Sequence, residues 1–574
     1  MTGRDKRRFK LDFLSGRVWL WGLSILTVVI LFAGGFVAWA SISDLELVKV
    51  LHEPQAEHVD QEELFMLVVD REFRKAFEEA FEVGDELFET KFNAIDGVGA
   101  NVGQNLRFTR VPRADLTGPG EWANHIPTRA TGPNAESCSS CHNQPFDDGA
   151  GSAALDVHRD PLHTANVGSF IRRNTPHVFA IGAVQRLAEE MTDELMDIRD
   201  QAQAKACRSG NPVTRRLSAK GIGFGSITVM PAEDSSQTGA GGSGLAICGV
   251  LVDTSRVDGV DADLIVRPLQ WKGNFAFVRE FNRDASNNEI GMQPVETTGD
   301  DVDGDFDGVA NEFTIGDQTA LAIYLAAQPR PVTRTELASL NLIPQLSSDE
   351  VRAINRGGKV FNRTGCSVCH TPELKLEDSI FSEPSQSPFY RDDVFPAGQD
   401  PVSRGLDPAN PVRFDLTRDQ PDNKITGAGG NIIRLLGALE KDHQGRAIVS
   451  LFGDLKRHEM GPELAETIDE AGTGASVFLT ENLWGGGFHR PLPPRRTSHH
   501  PYRGHPDPWR RGSSVKGCVL SPTDQRPEGP HRVLERSGAV QDGIRPGRQP
   551  GPQHHLRWTL WPTDQAGTGV SAGR

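Results

Sequence analysis

One five-residue pattern occurs twice and limits what this chain can become. Cys138-Ser139-Ser140-Cys141-His142 and Cys366-Ser367-Val368-Cys369-His370 both read C-x-x-C-H, the attachment signature of c-type haem. Cysteines three apart lie on one side of a helical turn, so both thiols can add to the two vinyl groups of one haem. The histidine that follows then offers its imidazole to the iron as proximal ligand. A zinc site would gather four ligands in space with no obligatory His after each pair. A dithiol redox motif does not ordinarily occur twice with that His. The pattern predicts two covalent c-type haems, held by Cys138, Cys141, Cys366 and Cys369, with His142 and His370 as iron ligands.

The chain around these motifs has 574 residues and a formal net charge of −16. That length is ample for several buried units, and the acidic balance gives a nucleic acid no electrostatic footprint. The charge is uneven. Residues 485–574 hold 14 Lys/Arg against 6 Asp/Glu and 13 of the 37 prolines, so the body before them is more acidic still. At the other end, the basic flank 1–17 precedes an uncharged apolar run from Val18 to Ala40 and then the acidic SISDLELV. A run of that length at helical rise crosses a bilayer core, and the flanking charge keeps 1–17 in the cytoplasm. The expectation is a transmembrane anchor over 18–40 in the inner membrane, with the haem domains in the periplasm. Ala38-Trp39-Ala40 also fits a signal-peptidase site, although the run exceeds a usual signal h-region. Arg7-Arg8 resembles a twin-arginine signal, but a basic flank carries such pairs anyway.

Around the first motif the apolar spacing is helical, in FMLVVDREFRKAFEEAFEVGDELFETKF before it and NTPHVFAIGAVQRLAEEMTDELMDIRDQA after it. Residues 206–266 read instead as a strand-rich insertion, with GIGFGSITVM and LAICGVLVDTS. Cys207 and Cys248 flank it, as a disulfide or as two buried thiols. WKGNFAFVREFNRDAS is helical again, and a helix leads from SSDEVRAINRGGKVFNRT into the second motif. Its expected partner is a helix over GNIIRLLGALEK or near Ala465. Asp303, Asp305 and Asp307, followed by Gly308, form the first half of an EF-hand loop. The twelfth position is Thr314 rather than the bidentate Glu, with Asn311 and Glu312 as substitute oxygen donors. A structural calcium ion at the segment boundary is expected over 300–312, against the plainer reading of a solvated acidic turn.

In this order the pieces resemble the bacterial di-haem oxidoreductases related to di-haem cytochrome c peroxidases. The resemblance covers about residues 60–484. It rests on GPNAESCSSCH, RNTPHVFAIGAVQ, WKGNFAFVREFNRDASNNEIGM, DGDFDGVANEFTIGDQTAL, GCSVCHTPEL and DLKRHEMGPELAE. It implies a mainly α fold of two cytochrome c-like haem domains, over 42–345 and 346–484, with a small β insertion and often a calcium ion between them. It also implies peroxide reduction, with electrons entering at one haem from a donor such as a small cytochrome or copper protein. Met292 and Met460 sit in family-like segments as distal ligands, with His177 and His458 as competitors and core packing as the alternative for either Met. Trp271 resembles an aromatic placed between the two haems, or else is a core Trp. Glu189 and Glu190 follow the first haem motif, but no catalytic acid is assigned. The competing functions are a di-haem electron-transfer cytochrome and an inactive gene product.

Relatives continue past the Leu483-Trp484-Gly485 step with a segment like APYLHDGR. Here the sequence is GGFHRPLPPRRTSHHPYRGHPDPWRRGSS. Shifting the reading frame by one base from Phe488 permits STAPYLHDGRRTTLTEAILTHGGEA through Ser513. A frameshift therefore accounts for the Pro, Arg and His excess of 485–574, against a disordered basic tail as the alternative.

Overall fold

The computed structural model describes residues 54–93, 95–98, 135–143, 149–151, 157–159, 171–232, 248–303, 308–418, 421, 424–426, 432–435, 437–469 and 472–484. The basic flank 1–17, the anchor 18–40, Asp305, Asp307 and the tail 485–574 lie outside them.

The described residues form helices α1 (Gln61–Val69), α2 (Phe73–Glu89), α3 (Ile181–Ser209), α4 (Val278–Ala285), α5 (Val295–Thr298), α6 (Ile315–Ala326), α7 (Arg334–Ser339) and α8 (Ser348–Arg363), with strands between α2 and α3, between α3 and α4, and after α8. The apolar helix α6, IGDQTALAIYLA, is buried at every position, so other elements must wrap all of it. A capping box of Thr314 and Asp317 starts it. Asp317 also accepts from the Val59 N–H at 3.1 Å and pairs with His58 at 2.7 Å, which ties the incoming chain to the helix. Helix α2 presents Ala76, Phe77, Ala80, Phe81, Gly84, Leu87 and Phe88 at three- and four-residue spacing. Gly84 lets it approach α6 closely: a Cβ there would stand 2.2 Å from the Ala320 carbonyl oxygen and 2.6 Å from the Tyr324 Cβ.

Strands β1 (Val157–Arg159) and β2 (Ile171–Arg173) pair antiparallel. Strands β3 (Val213–Ala219), β4 (Ile222–Pro231) and β5 (Val250–Val257) form the expected insertion as an antiparallel sheet. Lys220 and Gly221 both have positive φ, 49° and 81°, matching the primed two-residue turns that suit strand twist. Phe224, Ile227 and Val229 bury one face of β4. A Cys207–Cys248 disulfide ties the last turn of α3 to the entrance of β5.

The second segment departs from the expected helical domain. Beyond α8 its described residues form loops, two single 3-10 turns and short strands: β6 (Leu374–Leu376), β7 (Ile380–Glu383), β8 (Val412–Asp415), β9 (Lys424–Thr426), β10 (Ile432–Leu435), β11 (Glu440–Lys441), β12 (Ala447–Val449), β13 (Arg457–Glu459) and β14 (Val477–Leu479). The helix expected over GNIIRLLGALEK is instead β10 and β11, separated by Gly437 at φ 77°. Paired Ile residues favour the pleated surface, and glycine interrupts the helix. The stretch near Ala465 is loop.

The mainly α expectation is therefore corrected: the described residues are 34% helix and 16% strand, in eight helices and several small sheets. The two segments also share a core, because one hydrophobic cluster runs from Val59 to Trp484. Phe77 of α2 stacks on Phe414 of β8 at 4.7 Å. The membrane placement is corrected as well. No described helix is long and apolar enough to cross a membrane, so the structure gives the inner-membrane anchor and periplasmic orientation no support.

Candidate functional site

The second C-x-x-C-H segment is built by α8. A capping box of Ser347 and Glu350 starts that helix, and it buries Ala353, Gly357 and Phe361 along one stripe. Gly365, at φ 84°, then turns the chain into a single 3-10 turn over Cys366–Val368. The His370 N–H returns to the Cys366 carbonyl at 2.9 Å, and the Gly453 N–H binds the Thr371 carbonyl at 3.1 Å. These contacts bring the Phe452 carbonyl to 3.0 Å from His370 Nδ1. A histidine whose Nδ1–H is held by a carbonyl keeps Nε2 free as a metal donor. Burial lowers the His370 pKa, so the ring is neutral and has a lone pair to offer at pH 7. Cys366 is buried and Cys369 half-buried, while Val368 between them is 77% exposed.

Beside Cys369 lies His458, which the sequence placed only as a distal-ligand competitor, paired with Asp454, which it did not single out. His458, on β13, directs Nδ1 to 4.0 Å from Cys369 Sγ and Nε2 to 2.8 Å from Asp454 Oδ2. Asp454 is 2% exposed, and its other oxygen accepts the Lys456 N–H at 3.0 Å. Burial works against charge on His458, but Asp454 and Cys369 outweigh it and bring its pKa up to about 9. The donor atoms of Cys369, Asp454 and His458 all lie within 4.8 Å of one another. The available signal was the Asp454-x-x-x-His458 spacing in DLKRHEMG. Showing that it meets Cys369 required the β13–β14 hairpin. Met460, just past β13, is half-buried, and its N–H donates to the Ser476 carbonyl at 2.8 Å.

The first motif sits where α2 ends. The Ser139 N–H donates to the Phe88 carbonyl at 3.0 Å, and the Phe88 ring lies 5.8 Å from the His142 ring. Phe88 in turn packs on Tyr324 of α6 at 5.5 Å. Burial pushes the His142 pKa down to about 4, against weaker pulls from the Gly149 and Pro176 backbone. Burial, then the neighbouring Cys141, pushes the Cys138 thiol up to about 12. All four motif cysteines are unbridged thiols, whereas Cys207 and Cys248 are joined. Free thiol pairs beside imidazoles held neutral by burial suit c-type haem at both motifs.

Trp271 stands where the two segments meet. Its indole N–H donates to the Asn174 carbonyl at 3.0 Å, and its own carbonyl accepts the Leu479 N–H at 3.0 Å. His177 meets Trp484 edge-on at 5.9 Å across the same seam. Met292 is fully buried in the main core just past the π-helical turn Ser286–Ile290. Glu189 and Glu190 serve packing. Glu189 pairs with Arg186 and accepts from Ser385 at 2.9 Å, and Glu190 binds Lys220 and the N–H groups of Glu377 and Asp378.

The acidic loop is only partly described. Asp303 accepts the Gly308 N–H at 3.0 Å, and Asn311 exchanges hydrogen bonds with Asp301 at 2.8 and 2.9 Å. Glu312 turns away from the loop into the core, where it accepts the Gln293 N–H at 2.7 Å and packs against Gly97. The structure thus separates Glu312 from the loop carboxylates.

Comparison of the chain with family models, curated proteins and solved structures finds no match in any of the three.

Proposed function

We propose that this chain is a di-haem c-type oxidoreductase that reduces a peroxide, with electrons passed between two covalently held haems. The observation that carries the reading is the paired arrangement at the two C-x-x-C-H segments, each with two unbridged thiols and a half-buried, neutral imidazole. Bound haem would supply the redox chemistry and the site for O–O cleavage. The chain's own work is attachment and orientation. Cys138 with Cys141, and Cys366 with Cys369, would fix the two groups, while His142 and His370 present neutral nitrogens. The Phe452 carbonyl holds the His370 ring in one orientation through Nδ1. Trp271, anchored to both segments, would stand on the route between them. Met292 and Met460 remain the proposed distal donors, and calcium at the 300–312 loop is proposed with Asp303, Asp305 and Asp307 as its donors. A small cytochrome or copper protein is the proposed electron donor.

The test is spectroscopy and turnover on haem-loaded protein. A high-spin ferric component together with rapid hydrogen peroxide consumption is expected. Two low-spin haems without turnover would replace this reading with an electron-transfer cytochrome.

A further inference from the structure

Away from both motifs, α4, β7 and the loop 391–408 enclose a cavity of about 140 Å³. Its inner wall belongs to a buried ionic network. Arg279 donates to Glu296, Thr319, Glu383 and the Ile315 carbonyl, which occupies its guanidinium fully. Arg283 donates to Glu296 and, through two nitrogens, to Asp392. Two guanidinium groups therefore face three carboxylates, one negative charge in excess. Arg391, on the rim, donates instead to the Ser385 and Gln386 carbonyls.

The excess resides on Glu383, which is 3% exposed and lines the cavity. Its Oε1 accepts from Arg279 at 3.0 Å. Among the described residues no hydrogen bond reaches its Oε2. Beyond it the lining is mixed: Phe277, Phe395, Pro384, Leu406 and the exposed Val402 share it with the charged Arg391, Asp392 and Asp393. A buried carboxylate oxygen without a donor, in a pocket with Asp393 also on its wall, calls for a partner that brings positive charge and N–H donors together. Both Asp392 oxygens are committed to Arg283, so Glu383 and Asp393 alone fall short of the six- to eight-oxygen shell of calcium and the octahedron of magnesium. The volume is close to that of a cavity of about 150 Å³ that holds benzene.

We infer that this cavity binds a small primary alkylammonium, its N–H groups on Glu383 Oε2 and its alkyl chain between Phe277, Phe395 and Leu406. Burial raises the Glu383 pKa to about 7 against the pull of Arg279, so the complex forms best above that pH. The site is independent of haem and of the oxidoreductase reading.

The experiment is calorimetric titration of the full chain with n-butylammonium chloride near pH 8, with n-butanol as the uncharged isostere. Saturable 1:1 binding is expected, at least tenfold tighter than butanol and at least tenfold weaker in Glu383→Gln. Val402→Trp, at an exposed rim position, fills the mouth without touching the ionic network and should abolish binding. It keeps the test valid should Glu383→Gln not fold. Absence of saturable binding, equal binding of butanol, or undiminished binding in Val402→Trp would each overturn the inference.

Discussion

Replacing Gly84 by Ala tests how the first motif is positioned. In an open helix this change should stabilise, since Gly costs about 1 kcal/mol relative to Ala. At Gly84 the new Cβ would meet the Ala320 carbonyl at 2.2 Å and the Tyr324 Cβ at 2.6 Å. Both belong to the backbone region of a helix buried all round, so neither can swing aside. Reaching ordinary contact requires α2 and α6 to separate by about 1 Å, an overpacking strain of roughly 1–3 kcal/mol. With the propensity gain subtracted, a net loss of up to about 2 kcal/mol remains, where an open helix would gain about 1. The displacement also carries Phe88, whose carbonyl holds Ser139 and whose ring faces His142. Occupancy of the first motif should therefore fall while that of the second is unchanged. The control is Gly358→Ala on α8, where a Cβ meets nothing within 4 Å and the same change should stabilise by up to about 1 kcal/mol. Urea melts of the three proteins decide the matter. Should Gly84→Ala prove as stable as the parent, the close-crossing argument fails.

Other consequences can be measured as directly. The Cys207–Cys248 bond spans 41 residues, a loop whose closure is worth about 4 kcal/mol in the chain-entropy model; the double Ser variant should lose up to that amount, and no loss in a thermal melt would contradict the tie. Hydrogen bonding to Asp317 raises the His58 pKa against burial. That pairing is fully stabilising below about pH 6.5 and is lost as pH rises through the raised value, so Asp317→Asn should flatten that part of the stability–pH curve. Burial alone pushes Glu481, beside the second motif, up to about 7. Its contribution is complete below the ordinary carboxylate range and is lost as pH rises through 7, so Glu481→Gln should help most at alkaline pH. Resequencing the codons for residues 480–515 should reveal a one-base change that restores the APYLHDGR-type segment, and an unchanged sequence would remove the frameshift account.

The local signals in the sequence served well where one element decides the outcome. The helix read from SSDEVRAINRGGKVFNRT stands as α8, and the strand-rich stretch read over 206–266 stands as β3, β4 and β5. The expectation failed over 430–441, where apolar residues at near-helical spacing pair as short strands because tertiary partners and Gly437 decide. Alternation of Ile, Leu and Val in short runs fits either periodicity. The Asp454–His458 pair was visible as a spacing, but its approach to Cys369 depends on strand pairing more than 80 residues downstream. The Cys207–Cys248 bond could not be told from two thiols until α3 and β5 were placed side by side. Glu312 read as a loop ligand because it adjoins the aspartates, yet its carboxylate is committed to the Gln293 N–H in the core.

The most direct test of the di-haem account is the intact mass and pyridine haemochrome spectrum of protein made in a host that attaches c-type haem. The account predicts a mass increase of two haems, reduced to one in Cys138→Ala/Cys141→Ala and again to one in Cys366→Ala/Cys369→Ala. A mass equal to the bare polypeptide, or bound zinc lost on replacing Cys369 or His458, would contradict it.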